Sequence, residues 1–320
     1  MDDKEQKFKT YRSLSDMHRF RLRLFAEGIL TGILAGIVIS FFRFALSEME
    51  YLRGALYNRL WVSDWSINTC WFAVLIAIAF ILHKLNCIEP MAAGSGIPQV
   101  KGAILGLMKM RWLHILWVKL TAGIIGIGAG LSLGREGPSI QLGAVTAQGV
   151  SRLMGRTRME ERYLLTSGAS AGLAAAFNAP LAGVIFALEE LHRNFSIMVL
   201  LPSMAAAFTA TIISRAIFGR ATIFDIPDLQ LLPIGYYGIV ILVALASGLA
   251  GVIFNWGLLN IGRFYSLPCF KRPVQKIAFA LICGGILGYF HIISTFLIFS
   301  ISILFFDKFF NNLLADYARC

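Results

Sequence analysis

Charged and hydroxyl-bearing side chains are scarce in this chain, so the places where they interrupt apolar sequence are where its chemistry resides. Three such places are "GSGIP" at residues 94–98, "GREGP" at residues 134–138 and "FNAPLAGVIFALEELHR" at residues 177–193. The first two share a pattern: glycine, one or two polar residues, glycine, then a proline that opens an apolar run. Proline is favoured in the first turn of a helix, and Ser95, just ahead of Ile97–Pro98, suits an N-cap. Each stretch therefore reads as an unwound segment ending in a helix start. A helix start carries roughly half a positive charge and unpaired N–H donors, which together bind anions. Two starts aimed at one point would hold an anion without a lysine, as transporters built from broken helices do. Alone, "GSGIP" also reads as a tight turn with a capping serine. The recurrence of the pattern in a chain with so few polar groups favours the anion site.

Glu136 sets a carboxylate at the second of these starts. In the third stretch Asn178 and Pro180 break the apolar run, and a short helix is predicted to follow as far as about Leu191. Glu189 and Glu190 fall near its C-terminal end, where the helix dipole disfavours acids. One reading is an interfacial helix end whose acids pair with His192 or Arg193. The other is a proton-relay carboxylate, since acids within a membrane segment are functional candidates. Other chemistries lack their residues. No HExxH or GxxxxGK[ST] motif occurs, and His18, His83, His114, His192 and His291 are scattered without ligand spacing. Cys70, Cys87, Cys269, Cys283 and Cys320 form no CxxC pair and are expected as buried free thiols. No metal, cofactor or enzymatic activity is expected.

The elements that position these residues are membrane helices. Hydrophobic residues make up 57% of the 320 positions and charged ones 15%, with a mean hydropathy of +0.70. A soluble domain carries about 25% charged residues. Apolar segments lie at Phe25–Leu46, Trp71–Leu82, Ile115–Leu133, Met198–Ile213, Ile234–Ile261 and Ile277–Ile303; a spanning helix needs ~20 residues, so some are short for one and others would be interrupted or tilted. Small residues in "GIIGIGAG" and "SGASAGLAAAF" are expected at helix–helix contacts.

The net charge of +11 is read as topology, not as a nucleic-acid surface. Lys4, Lys7, Lys9, Arg12, Arg19, Arg21 and Arg23 precede the first apolar segment, and Lys109, Arg111, Arg152, Arg156, Arg158 and Arg162 sit near predicted connections. Basic flanks face the cytoplasm, so the N-terminus is expected inside an inner cell membrane, where its cluster is also a candidate for contact with anionic lipid. The stretch Ser47–Ser66, with Glu48, Glu50 and Asp64 against Arg53 and Arg59, is expected as an outer loop.

"GSGIPQVKGAI", "LGREGPSIQLGA" and "GASAGLAAAFNAPLAGVIFALEEL" (residues 168–191) resemble, in order, the signatures of the N-terminal half of the CLC chloride channel and transporter family. The resemblance covers roughly residues 20 to 288. It implies an all-α, polytopic membrane protein with broken and re-entrant helices, the first inverted-repeat half of the CLC fold plus the start of the second. It further implies chloride and protons as substrates, and a homodimer in membrane lipid. Ser95 would coordinate chloride through its hydroxyl, with the backbone donors of Gly96 and Ile97 nearby, between Gly94 and Pro98. Glu136 would be the gating glutamate, an internal anion that competes with chloride. Gly134 and Gly137 would keep the backbone open ahead of Pro138, and Arg135 would be tied to carbonyls. Glu190 matches the internal proton glutamate of the family's antiporters, on the helix that Asn178 and Pro180 begin.

The implied organisation is a cytoplasmic basic segment at 1–24, a first membrane half at 25–233, the start of a second at 234–288, and a divergent tail at 289–320. The second half's "GxFxP" motif and late tyrosine are not found, and no glycine follows Tyr289. A shifted frame or early stop would produce that change, as would a divergent final segment; truncation is the expectation. It carries the alternatives of a non-conducting remnant or a membrane subunit completed by another chain.

Overall fold

Long apolar runs without strand-like alternation fold as helices, and no strand occurs among the described residues. The computed structural model describes residues 3–62, 65–131, 133–193, 195–219 and 237–265. In chain order the helices are α1 (Asp3–Val62), α2 (Trp65–Ile88), α3 (Ile97–Ile104), α4 (Trp112–Gly128), α5 (Glu136–Leu153), α6 (Arg158–Phe177), α7 (Pro180–Phe186), α8 (Ile197–Phe218) and α9 (Tyr237–Tyr265), with a 3₁₀ turn at Pro90–Ala92 and a π-turn at Ala187–His192. Three are long and apolar enough to cross a membrane, over Arg19–Leu56, Ile197–Phe218 and Gly238–Gly257. Helices α1–α8 belong to one compact unit and α9 to another. The apolar segment Ile277–Ile303 and the tail 289–320 lie outside the described residues.

The expected outer loop at Ser47–Ser66 is not one: α1 runs on without a break to Val62. Arg53 anchors that extension by donating to the Ile127 carbonyl of α4 at 3.0 Å. Of the five thiols, Cys87 is free but exposed, not buried.

The first unit is assembled by backbone contact. Gly28, Gly32 and Gly36 repeat at every fourth position of α1 and so lie on one face. A Cβ on Gly28 would come within 2.6 Å of the Pro202 carbonyl oxygen, and one on Gly32 within 2.8 Å of the Ala206 Cα. Small residues allow this approach where no hydrophobic force acts between helices in lipid. Helices α5 and α6 cross in the same manner, Gly168 facing Gly143 and Gly172 facing Ser139, so "SGASAGLAAAF" is a contact surface as expected. In "GIIGIGAG", Gly123 and Gly128 instead receive the side chains of Phe42 and Met49. Leu142, Ala171 and Ala175 meet Ile39 and Phe42 in the buried core between α5, α6 and α1.

Charge pairing closes one end of the unit. Helix α6 opens with a capping box in which Glu160 Oε2 accepts from the Thr157 backbone N–H at 2.9 Å and from its hydroxyl at 2.8 Å. Arg23 of α1 pairs with the same carboxylate, and Arg156 of the α5–α6 connection pairs with buried Glu27 at 2.6 Å. Basic residues distant in sequence thus gather on one side, with the Arg23–Glu27 turn of α1 and the α5–α6 connection together.

Candidate functional site

Two short breaks in the helices define the site. Before α3 the backbone enters the left-handed region twice, at Gly94 (φ 69°) and Gly96 (φ 88°), which glycine adopts without a Cβ penalty. Gly96 itself is the N-cap and no side chain caps α3. The capping role expected of Ser95 is therefore corrected: the left-handed glycine takes that position, and Ser95 stays exposed beside the helix start. Before α5, Arg135 is the N-cap, Glu136 the first helical residue, and again no side chain caps the turn. Helix geometry leaves the first N–H groups of both helices without intrahelical acceptors.

The two starts meet. A Cβ on Gly137 would collide with the Ser95 carbonyl oxygen and come within 2.8 Å of the Ser95 hydroxyl. One on Gly96 would fall 2.5 Å from Gln141 Oε1 of α5. Gln141 is fully buried and donates through Nε2 to the Met91 carbonyl at 2.7 Å, fastening α5 to the segment ahead of "GSGIP". Glu136 is half-buried, with Oε2 turned back against Gly134. Close approach is therefore what requires glycine at 137. Arg135 departs from expectation. Among the described residues its guanidinium makes no carbonyl hydrogen bond, while its own carbonyl accepts from the Ser139 N–H at 3.1 Å and hydroxyl at 2.7 Å.

Asn178 and Pro180 do break the third stretch. Asn178 caps α6 in the left-handed region at φ 59°, and Pro180 is the first residue of α7. Arg215 of α8 secures the break by donating to Asn178 Oδ1 at 2.6 Å. Helix α7 then widens into the π-turn that carries Glu189 and Glu190, a rare geometry concentrated at functional sites. Glu189 is exposed. Glu190 takes neither partner considered from sequence; its Oε1 accepts from Lys101 Nζ of α3 at 2.8 Å.

Lys101, Lys119 and Gln141 join the site without having been singled out from sequence. Lys119 is only 5% exposed and donates to the carbonyls of Ala92 at 2.9 Å and Gly94 at 2.5 Å. A buried ammonium thus holds the unwound segment just ahead of Ser95. Its signal was a lysine inside the apolar run Ile115–Leu133. Lys101 and Gln141 carry no such mark, being ordinary polar residues until packing places them.

Broken helices meeting at glycine, with carboxylates at one start and on a nearby π-turn, are features of a polytopic integral membrane protein. Residues 72–313 match the family model described as voltage gated chloride channel. The chain belongs to that family, the CLC family of the motifs above. The matched stretch runs past residue 288, where the resemblance was expected to end. The chain is 34% identical over 238 residues to the H(+)/Cl(-) exchange transporter ClcA of Vibrio cholerae serotype O1, covering 71% of this chain and 50% of that protein. It also resembles the crystal structure of a slow cyanobacterial Cl-/H+ antiporter (TM-score 0.68, 30% identity, 77% of this chain and 59% of that one). A third likeness is a CLC-type fluoride/proton antiporter (TM-score 0.65, 25% identity, 83% and 64%). The chain spans about half the length of the curated relative it matches.

Proposed function

We propose that this protein serves CLC-type chloride transport across a membrane, exchanging chloride for protons, as a transporter and not an enzyme. The observation that carries the reading is the contact of Gly137 with Ser95, which brings two uncapped helix starts to one place. Chloride binds there to the Ser95 hydroxyl and the N–H groups of Gly96 and Ile97. Burying an unpaired anion costs several kcal/mol or more, and the donors and dipoles of both starts offset that cost. Glu136 stands at the head of α5 as an internal anion. Ionised, its carboxylate competes for those donors; protonated, it yields them to chloride. Glu190 delivers the proton from the other end of the path.

The N-terminus lies on the cytoplasmic side of the cell membrane, a reading supported by the gathering of Arg23 and Arg156 at one end of the unit. The protein works as a homodimer embedded in lipid. The decisive experiment is Glu136→Gln in the protein reconstituted into vesicles. Proton movement driven by a chloride gradient is lost while chloride flux continues. Proton transport that survives unchanged refutes the assignment of Glu136.

A further inference from the structure

The ion pair between Lys101 and Glu190 joins two parts of the site that the exchange reading treats separately. Helix α3 has only eight residues, so its ends are mechanically one body. Its N-terminus is the anion motif. Lys101 lies four residues on from Ile97, about 6 Å along the axis, and reaches across to the π-turn, where Nζ donates to Glu190 Oε1 at 2.8 Å. The pair is neither sealed from water nor fully open. The Lys101 side chain is 24% exposed and that of Glu190 47%, so a proton from the aqueous side can reach the carboxylate while the ammonium stays in contact.

We propose that Lys101 is a positioning residue for the internal carboxylate: it holds Glu190 as an ion pair that opens when the acid takes up a proton. A neutral carboxyl no longer attracts the ammonium, so proton loading releases the tether between the π-turn and the helix that bears Ser95. The inference rests on the reading of Glu190 as the proton carboxylate.

The surroundings leave Lys101 as the dominant partner. The π-turn packs against α3, α6, α7 and α8. From α3 it receives Lys101. From α6 it meets Tyr163, whose ring lies 6.0 Å from that of His192. The first turns of α8, from Ile197 to Ser203, contain no ionisable side chain, and α7 contains none. On its own segment Glu190 has Glu189, His192 and Arg193 as neighbours. Glu190 falls outside the segments long and apolar enough to span a membrane, and the Lys101 hydrogen bond, then its charge, hold the carboxyl below the usual carboxylate range, with Arg193 adding to the effect.

The test is the pH profile of chloride-driven proton uptake in reconstituted vesicles, compared with chloride flux. An opposite charge at this range lowers a carboxyl pKa by about one unit or more. Lys101→Met therefore moves the alkaline fall of proton uptake upward by about one pH unit, and Lys101→Arg, which keeps the charge, restores the original position. Glu190→Gln abolishes proton uptake, and adding Lys101→Met to it changes nothing further. A Lys101→Met profile that overlays the wild type, with Glu190→Gln still inactive in proton uptake, overturns the role of Lys101 and leaves the exchange reading intact. Proton uptake that persists in Glu190→Gln overturns the reading itself. If Lys101→Met does not fold, infrared titration of the Glu190 carboxyl in the unaltered protein decides. A midpoint below the ordinary ~4.3 supports the ion pair, and one at or above it overturns the proposal.

Discussion

Replacing Gly137 with alanine adds one methyl group where the two helix starts meet. That methyl would come within 2.8 Å of the Ser95 hydroxyl and 3.1 Å of the Ser95 carbonyl carbon, with the carbonyl oxygen nearer still. Comfortable non-bonded carbon contacts lie at about 3.5–4.0 Å, so the segments must separate by roughly half an ångström to an ångström. The nearest atom is the backbone carbonyl oxygen, which cannot swing aside as a side-chain tip can. Overpacking of this kind costs about 1–3 kcal/mol, and alanine's better helix propensity returns at most about 1 kcal/mol. The net expectation is a loss of about 1–2 kcal/mol in stability. Donors displaced from a shared anion lose contact as well, and every 1.4 kcal/mol lost there is about tenfold in affinity. Thermal melting of the detergent-solubilised protein reads the first effect and calorimetric chloride titration the second. Gly54→Ala is the control, because a Cβ there meets nothing within 4 Å in helix α1; it should melt at or above the unaltered protein. If Gly137→Ala behaves like Gly54→Ala and binds chloride with unchanged affinity, the convergence of the two starts is not what builds the site.

Lys119→Met should weaken chloride binding by about tenfold, because hydrogen bonds from a charged group contribute about 1.5–3 kcal/mol and those to Ala92 and Gly94 shape the segment before Ser95. Relief of the buried charge offsets part of the stability loss, so affinity is the readout, and an unaltered titration curve would sink the assignment. For Glu160, burial disfavours the charged form but the Thr157 hydrogen bonds, with Arg23 and Arg156, outweigh it and lower the carboxyl pKa. A depressed folded pKa gives stability that is fully present above the unfolded value of about 4.3 and lost as pH falls through the folded one. Melting of Glu160→Gln should therefore fall below that of the unaltered protein at neutral pH and converge with it in acid. A gap that stays constant into acid contradicts this.

The parts of the site legible in the sequence are those encoded locally. Glycine–proline punctuation marks a helix start whatever surrounds it, and Asn178 and Pro180 end one helix and begin the next by their own backbone preferences. What the sequence could not display is partnership across the chain. Lys101 and Glu190 are separated by 89 positions, and no periodicity connects them. The Gly28, Gly32 and Gly36 stripe has the spacing of a helix contact, yet sat unremarked within a span recognised by hydropathy alone. The outer loop at Ser47–Ser66 failed for a related reason. Charge density suggested water, but arginine and glutamate are good helix formers, and Arg53 finds its acceptor on a neighbouring helix.

The glycine stripe of α1 sets backbone against backbone at Pro202, Ala206 and Ala210 of α8. Where backbones touch, sliding has no soft intermediate: a shift along the groove would carry Ala206 or Pro202 into a turn of α1 with nothing to compress. The frame is thus a clamp with little play, and the exchange proposed above would have to draw its motion from elsewhere. The groups outside that clamp are the carboxylate folded back on Gly134 and the lysine bridging to the π-turn. The exchange proposed above would then resemble a lock whose case stays still while only its pins travel.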